Sequence, residues 1–529
     1  MSGSRPMPAA ERPPVPAFGV AAVLLGCFIA GFHTRLFGVG LPDLRGAMGL
    51  EPDQGAWLST IALAPQILVA PAITWLVTVF GLRRVLVGPA LLYALLSLLI
   101  PVVRDYPTLL VLHALHGALL GVFVPAALMV IFRGMPQRLW TAGIAIYVFR
   151  AGFTLNAGIG LAGFHAALLG WQWIYWQDVL LAPVMAWLAW RGAPRVAVDR
   201  TLLARADWGG MLLFGGGLTM LYVALDQGNR LDWMASGTII GLLAGGAALL
   251  AGFALNEVLV ANPWASLRVI ASRNIGLMLV TGFCFSLLSM SNGLLVPNFL
   301  MVVQHLRPEQ AGWPLFLGSA LPMIALVPLA VLAVRHFDAR LVLMSGLMGF
   351  AIAAWLASGL TRDWAGPDFL LVAFLQAFGQ SFTFLALILY GLGNSNPTQA
   401  TAFVAYIQVV RLLGVEFGQS LLGTFLRMRE QVQSYQLGLN LAAGGRLAAD
   451  ALARLGVHFY ADGALTAPAR ALATLAATVQ REAFTLAHID AFRLSFWVAV
   501  GTVALVAFMG ASPPGPFTPW LAKKTGHIS

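Results

Sequence analysis

The sequence predicts an all-α integral membrane protein of fourteen spans, on three observations. Of its 529 residues, 59% are hydrophobic and 10% are charged, and the mean hydropathy is +0.82; a soluble globular protein carries about 25% charged residues. Apolar runs of about 20 residues, the length a helix needs to cross roughly 30 Å of hydrocarbon, recur fourteen times. Arginine and lysine are shared unequally between alternate loops, as positive charge is retained on the cytoplasmic side.

The runs fall at 18–41, 54–79, 85–103, 108–132, 139–163, 177–190, 207–226, 235–256, 274–300, 311–334, 341–360, 369–393, 400–426 and 491–511. The first is too long for a signal h-region and has no small-residue cleavage site after it, so it reads as a retained span. With the N-terminus placed in the cytoplasm, sixteen basic residues lie inside: Arg5, Arg12, Arg83, Arg84, Arg133, Arg138, Arg191, Arg195, Arg200, Arg205, Arg268, Arg273, Arg335, Arg340, Lys523 and Lys524. Five lie in the short outer loops: Arg45, Arg104, Arg230, Arg307 and Arg362. That asymmetry puts both termini in the cytoplasm and accounts for most of the +10 net charge without a nucleic-acid partner. The two cysteines, Cys27 and Cys284, have no CxxC or Cys/His spacing, so neither a disulfide framework nor a zinc site is expected. No GxxxxGK[ST] phosphate-binding loop is present, which argues against ATP-driven pumping by this chain.

The expected organisation is a cytoplasmic tail at 1–17, a six-helix bundle at 18–190, two extra helices within 191–273, a second six-helix bundle at 274–511 and a cytoplasmic tail at 512–529. One outer segment, 427–490, is much longer than the others and reads as a loop holding two amphipathic helices, 446–456 and 467–489, joined by the Asp462-Gly463 turn. It is either a solvated hairpin or a docking surface for a periplasmic partner.

Polar residues inside the spans carry the functional reading, because a charge there is expensive and faces the bundle interior or a wet cavity. The embedded ionisable groups are His33 and Arg35 in span 1, His113 and His116 in span 4, Arg150 in span 5, and Arg411 with Glu416 in span 13. Glu416 is the only carboxylate deep in a span, which makes it the leading proton carrier. At 100° per residue, Gln408, Arg411, Glu416 and Gln419 share an arc of about 140°. His113 and His116 share a face, whereas His33 and Arg35 are about 200° apart and cannot look into one cavity. Arg35 is near enough to Pro42 to snorkel to the outer interface. The histidines serve either as interhelical hydrogen-bonding groups or as a proton relay.

Several motifs carry a family resemblance. Gly170-Trp171-Gln172-Trp173-Ile174-Tyr175-Trp176-Gln177-Asp178 is similar to the GWRWIF-x-IN segment between spans 5 and 6 of the major facilitator superfamily. Leu225-Asp226-Gln227-Gly228 with Leu231-Asp232-Trp233, and Asn262-Pro263 through Ser272-Arg273-Asn274, resemble the loop between two extra central spans and the linker into the second half. Arg411 with Gly414 and Gly418 matches the arginine and glycines of span 13. The chain thus resembles the 14-span drug:proton antiporters of the EmrB/QacA type, and its long last outer loop resembles the EmrB branch. The resemblance implies a 6+2+6 major facilitator fold, alternating access, no cofactor beyond the proton gradient, a location in the bacterial inner membrane, and partnership with a periplasmic adaptor (membrane-fusion) protein and an outer-membrane channel.

The departures are equally specific. His33 stands where the family usually has an aspartate, His113 and His116 where span 4 has Arg and Gln, and Gly158, Gly160 and Gly163 are what remains of the span 5 GP-x-x-GG signature. The expected proton-coupling residues are therefore Glu416, Arg411, His33, His113 and His116. Arg150 and Arg411, each about eleven residues into corresponding spans, favour an anionic amphipathic substrate, held against an apolar wall of phenylalanines. The expected substrate-binding set is Arg150, Arg411, Phe149, Phe153, Gln376 and Gln380, with Phe283, Phe285, Phe382 and Phe384 as further candidates for the wall. Proton uptake by Glu416 is expected to relieve its attraction to Arg411 or Arg150. A proton-coupled importer and a non-transporting membrane scaffold are the alternatives; an intramembrane enzyme would need paired acids, a metal cluster or a Ser/His array that the sequence does not display.

Overall fold

A computed structural model describes residues 16–135, 139–261, 263–395, 400–442, 445–460, 463 and 465–513. Of the residues weighed above, Arg5, Arg12, Arg138, Asn262, Asp462, Lys523 and Lys524 lie outside these, as does the side chain of Arg133. The described residues are helical, with no strand among them. That follows from the composition, since a backbone surrounded by hydrocarbon must satisfy its own N–H and C=O groups within each segment.

In chain order the long helices are α1 (Pro16–Met48), α2 (Pro52–Phe80), α3 (Leu82–Val102), α4 (Tyr106–Gly134), α5 (Trp140–Leu169), α6 (Trp173–Gly192), α7 (Trp208–Gly228) and α8 (Gly237–Leu259). They continue with α9 (Arg273–Val302), α10 (Pro308–His336), α11 (Ala339–Ala357), α12 (Gly366–Asn394), α13 (Ala400–Ala442) and α14 (Ala467–Ala507). Thirteen are long and apolar enough to cross a membrane. The fourteenth, α6, is 20 residues long and packs against α1 and α3; its hydropathy is diluted by Gln177 and Asp178. Helices α1–α6 and α9–α14 form two bundles, and α7 and α8 pack as a pair beside α2 and α13. Only 17% of the most apolar window of α8 is buried, so that helix presents most of its surface to lipid.

Local irregularities place the polar groups. In α9 a π-turn at Ser291–Leu295 precedes Pro297, and in α10 another spans Phe316–Ala320; such turns bulge a helix and redirect carbonyls and side chains. Glycines let α5 and α10 touch. A Cβ at Gly312 would run into the backbone of Gly160, and one at Gly163 into the backbone of Glu309. The glycines of the eroded span 5 signature thus form the seam between the bundles, while Gly158 leaves room for the stem of Arg35.

Segment 427–490 is built differently from a loop. Helix α13 runs unbroken for 43 residues and α14 for 41, about 65 and 62 Å at 1.5 Å per residue, so both continue well past a bilayer. Between them lies a helix at Arg446–Phe459 that packs on α14. The Ala- and Leu-rich sequence without an internal proline break gives no reason for a span to stop at 426 or for a helix to stop at 489. This projection is fastened at its base, where Asp490 accepts from Arg429 at 2.8 Å and from Gln433 at 3.1 Å, and Glu482 accepts from Arg362 at 2.7 Å.

Candidate functional site: a charged cavity between the bundles

A cavity of about 670 Å³ lies between the two bundles, lined by α1, α2, α5 and α7 on one side and α9, α10, α12 and α13 on the other. Three arginines reach it, Arg35, Arg150 and Arg411, together with two carboxylates, Glu416 and Asp226. Phe285 and Phe384, stacked at 5.2 Å between centroids, supply part of its apolar wall.

Arg150 is buried and its guanidinium sits 5.2 Å from the ring of Tyr147. Its Nε and Nη2 have no hydrogen-bond partner among the described residues. Arg411, one helix across, donates from Nε to Gln408 Oε1 at 2.7 Å and shares its surroundings with Tyr147, Arg150 and Cys27. A buried guanidinium left with free donors is an open anion-binding fork. Glu416 is 7% exposed and has other neighbours, the hydroxyl of Tyr222 and the carboxylate of Asp226, both from α7. Among the described residues no ion pair joins Glu416 to Arg411 or Arg150, so the expected attraction between them is not how the cavity is wired.

Arg35 does not run to the outer interface. It lines the cavity, and its Nη2 donates to the carbonyl of Gly293 in the α9 π-turn at 2.6 Å. A second polar link between the bundles runs beside it, with Asn292 donating to Asn156 at 3.0 Å and Asn156 to Gln380 at 3.3 Å. Gln380 lines the cavity; Gln376, one turn away, is buried with an unpartnered Oε1 and is not among the lining residues. Neither Phe149 nor Phe153 lines it. They stack on each other at 5.1 Å, with Phe153 edge-on to Phe32 at 6.2 Å. Phe382 packs on Phe378 at 4.1 Å and Phe283 meets Phe417 at 6.5 Å, both away from the cavity.

The three histidines sit behind α1, inside the first bundle. His33 hydrogen-bonds Asp178 through Nδ1 at 2.8 Å, and the Tyr93 hydroxyl donates to the same carboxylate oxygen at 2.8 Å. His116 bonds Ser97 at 2.9 Å, and His113 bonds the Tyr175 hydroxyl at 2.7 Å. His33 and His116 rings are 4.6 Å apart, and Tyr93 stacks on His116 at 4.1 Å. The array joins α1, α3, α4 and α6. One donor atom each from His33, His116 and Asp178 lies within 4.8 Å of the others, but Asp178 Oδ2 already accepts from both His33 and Tyr93, so the geometry is that of a hydrogen-bonded network.

Sequence reasoning did not assign Asp178, Asp226, Tyr222 or the Asn156–Asn292 link to the site, and sent Arg35 elsewhere. One signal was available: the 200° between His33 and Arg35 puts one on the bundle side of α1 and the other on the cavity side. The partner of His33 was invisible, because Asp178 is 145 positions away.

Known proteins agree with this architecture. The Major Facilitator Superfamily model matches residues 23–257. The fatty acid resistance protein FarB of Neisseria gonorrhoeae is 21% identical over 521 residues, 98% of this chain and 99% of that protein. The putative multidrug resistance protein MdtD of Salmonella paratyphi B is 24% identical over 411 residues, 77% and 85%, and the colistin resistance protein EmrB of Acinetobacter baumannii is 23% identical over 350 residues, 64% and 66%. Among solved structures, the proton:xylose symporter XylE bound to 6-bromo-6-deoxy-D-glucose aligns with a TM-score of 0.55 at 14% identity, covering 94% of this chain and 96% of that one. A bacterial homolog of the human lysosomal transporter Spinster aligns at 0.51 and 12% identity, covering 96% and 100%. With fourteen long helices among the described residues, in a 6+2+6 order around a central cavity, the chain has the fold of these solved transporters, and residues 23–257 match the Major Facilitator Superfamily model.

Proposed function

We propose that the protein exports amphipathic organic anions from the cytoplasm across the bacterial inner membrane by alternating access, in exchange for inward protons, with both termini cytoplasmic. The observation that carries the anionic substrate is Arg150: buried, facing the cavity, with two N–H groups unpartnered and Arg411 beside it. A carboxylate or sulfonate headgroup satisfies that fork, and the Phe285–Phe384 stack accepts an apolar tail. The name of FarB, a fatty acid resistance protein, agrees with such a substrate, and the relatives named for drug resistance agree with efflux.

Glu416 carries the coupling proton in this reading. With Asp226 rather than an arginine as its charged neighbour, protonation relieves repulsion between α13 and α7 and so favours one packing of the bundles over the other. His33, His113 and His116, with Asp178, form the second proton-handling array, and Arg411 ties the anion to the helix that bears Glu416. The projection built on α13 and α14 is the docking surface for a periplasmic adaptor, leading to an outer-membrane channel.

The cavity's charge also favours a second reading. Three arginines against two carboxylates leave it positive, and adding a proton makes it more so, which draws an anion in together with the proton as a symporting importer requires. Vesicles decide between them. Purified protein in proteoliposomes is given an imposed pH gradient and anilinonaphthalene sulfonate, an anionic amphipath that carries no proton itself. Movement of the probe against the proton flux establishes exchange, co-movement establishes uptake, and loss of proton-driven movement in Glu416→Gln identifies the carrier. Deletion of 446–459 that leaves drug tolerance of whole cells unchanged overturns the docking role.

A further inference from the structure

The extra pair α7–α8 stands between the two bundles in sequence, yet α7 reaches the central cavity. It seals the cleft between α2 and α13. On the α2 side, Thr60 donates to Asp226, Gln227 donates to the Ala56 carbonyl at 3.3 Å, and a Cβ at Gly215 would lie 2.6 Å from the Leu68 carbonyl. On the α13 side, Ser420 donates to the Leu225 carbonyl and Thr424 to Asn229, each at 2.9 Å. Through this sealed cleft Tyr222 and Asp226, one turn apart on α7, line the same cavity as Glu416. The cavity-facing stripe of α2 beside them, Ser59, Leu63 and Gln66, ends in an unpartnered amide nitrogen of Gln66, which is 4% exposed. This wall is therefore lined for a polar occupant.

We propose that Asp226 is a second coupling carboxylate, sharing one proton with Glu416, and that α7 is thereby a working part of the transport cycle. The proposal deepens the reading above and rests on it for the role of Glu416. Two carboxylates facing one cavity of low dielectric hold a single proton between them, because both charges together repel and neither is ion-paired with an arginine among the described residues; the charge of Arg230 reaches Asp226 from the end of α7, but Arg230 is itself paired with Asp53. The other groups facing the pair are the Tyr222 hydroxyl and the Gln227 amide on α7, the latter donating to Asp226 at 3.3 Å, Gln419 on α13, and Ser59 and Thr60 on α2. Arg230, at the outer end of α7, is held by Asp53 at 2.8 Å. The proton moves from one carboxyl oxygen to the other or leaves to water in the cavity, and no other bond changes. Any displacement of α13 against α7 separates the pair and releases the proton, which links bundle motion to protonation at the seam with the linker helices.

The test is pH-difference infrared spectroscopy of the full-length protein in lipid nanodiscs, comparing wild type with Asp226→Asn, Glu416→Gln, the double variant and Thr424→Val. Asparagine still accepts the Thr60 hydrogen bond, so Asp226→Asn removes the charge and keeps the packing, whereas Thr424→Val removes a hydrogen bond from α13 to the end of α7 that touches neither carboxylate. The expected result is one titrating carboxyl band in wild type, shifted in frequency and in pH midpoint by either single substitution, absent from the double variant and unchanged in Thr424→Val. A band in Asp226→Asn identical to wild type overturns the proposal, as does an equal change in Thr424→Val, which would make Asp226 a packing residue. The readout needs no substrate, so failure here overturns the shared proton alone, while failure of the vesicle experiment overturns the export reading.

Discussion

Arg35 on α1 donates to the main-chain carbonyl of Gly293 on α9 at 2.6 Å, a hydrogen bond from one bundle to the backbone of the other. The acceptor is available because Gly293 lies in a π-turn, where the regular i to i−4 pattern is interrupted. A main-chain acceptor is untouched by side-chain variation at 293, so the link depends on the donor.

Arg35→Met keeps the stem beside Gly158 and removes the donor. A hydrogen bond to a charged group contributes about 1.5–3 kcal/mol, so the balance between the two bundle arrangements shifts by about ten- to a hundredfold. Spin-label distances between the outer ends of α5 and α10 read the shift, and an unchanged distribution refutes it.

Gly312 has no room for a side chain, since an added Cβ would run into the backbone nitrogen of Gly160. Gly312→Ala forces α5 and α10 apart and is expected to destabilise the protein by about 1–3 kcal/mol, as overpacking does. Thermal unfolding in detergent measures this. Gly438→Ala, inside α13 with nothing within 4 Å of the added Cβ, is the control that does not lower the melting temperature, since alanine favours the helix over glycine by about 1 kcal/mol.

Arg150→Gln removes the open fork while retaining an amide in its place. Binding of anilinonaphthalene sulfonate is expected to weaken about ten- to a hundredfold, the worth of charged hydrogen bonds, while a cationic amphipath binds no more weakly than to wild type. Equal weakening of both would show that the residue supports the cavity without reading charge.

Asp178 is 1% exposed and accepts from both His33 and Tyr93. Asp178→Leu strands two buried donors and is expected to lower stability by about 3–5 kcal/mol, as when one member of a buried charged pair is removed. Asp178→Asn retains an acceptor and is expected to lose less than half as much. Melting temperatures of the pair, read beside His33→Gln, establish whether the array is built around the carboxylate.

Much of the fold was legible because membrane insertion writes itself into composition: runs of twenty apolar residues admit little but spans. The span that composition marks least clearly, α6, carries Gln177 and Asp178 in its first turns, and its place is secured by packing against α1 and α3. Positions of Arg150, Arg411 and Glu416 in the cavity followed from helical phase and depth. What was not legible concerned contacts between distant helices. Asp226 sits at the end of a span, where an acid is unremarkable in sequence, and only the packing of α7 into the α2–α13 cleft turns it toward Glu416. Phe149 and Phe153 have the right depth but the wrong phase, and a phenylalanine gives no sign in sequence of whether it meets a cavity or a neighbouring helix. The end of α13 was misjudged for a related reason: hydropathy marks where a helix leaves lipid, not where it stops being a helix.

That uninterrupted α13 has a mechanical consequence. From Glu416 to Ala442 is 26 residues, about 39 Å of rod at 1.5 Å per residue. Pivoted near the glycines at 414 and 418 that let it press against α9, the rod acts as a pointer: a tilt of about 10° at the cavity swings its far tip by about 7 Å at that length. An angular change too small to see at the proton site is thereby magnified into a displacement that a neighbouring protein outside the bilayer can feel.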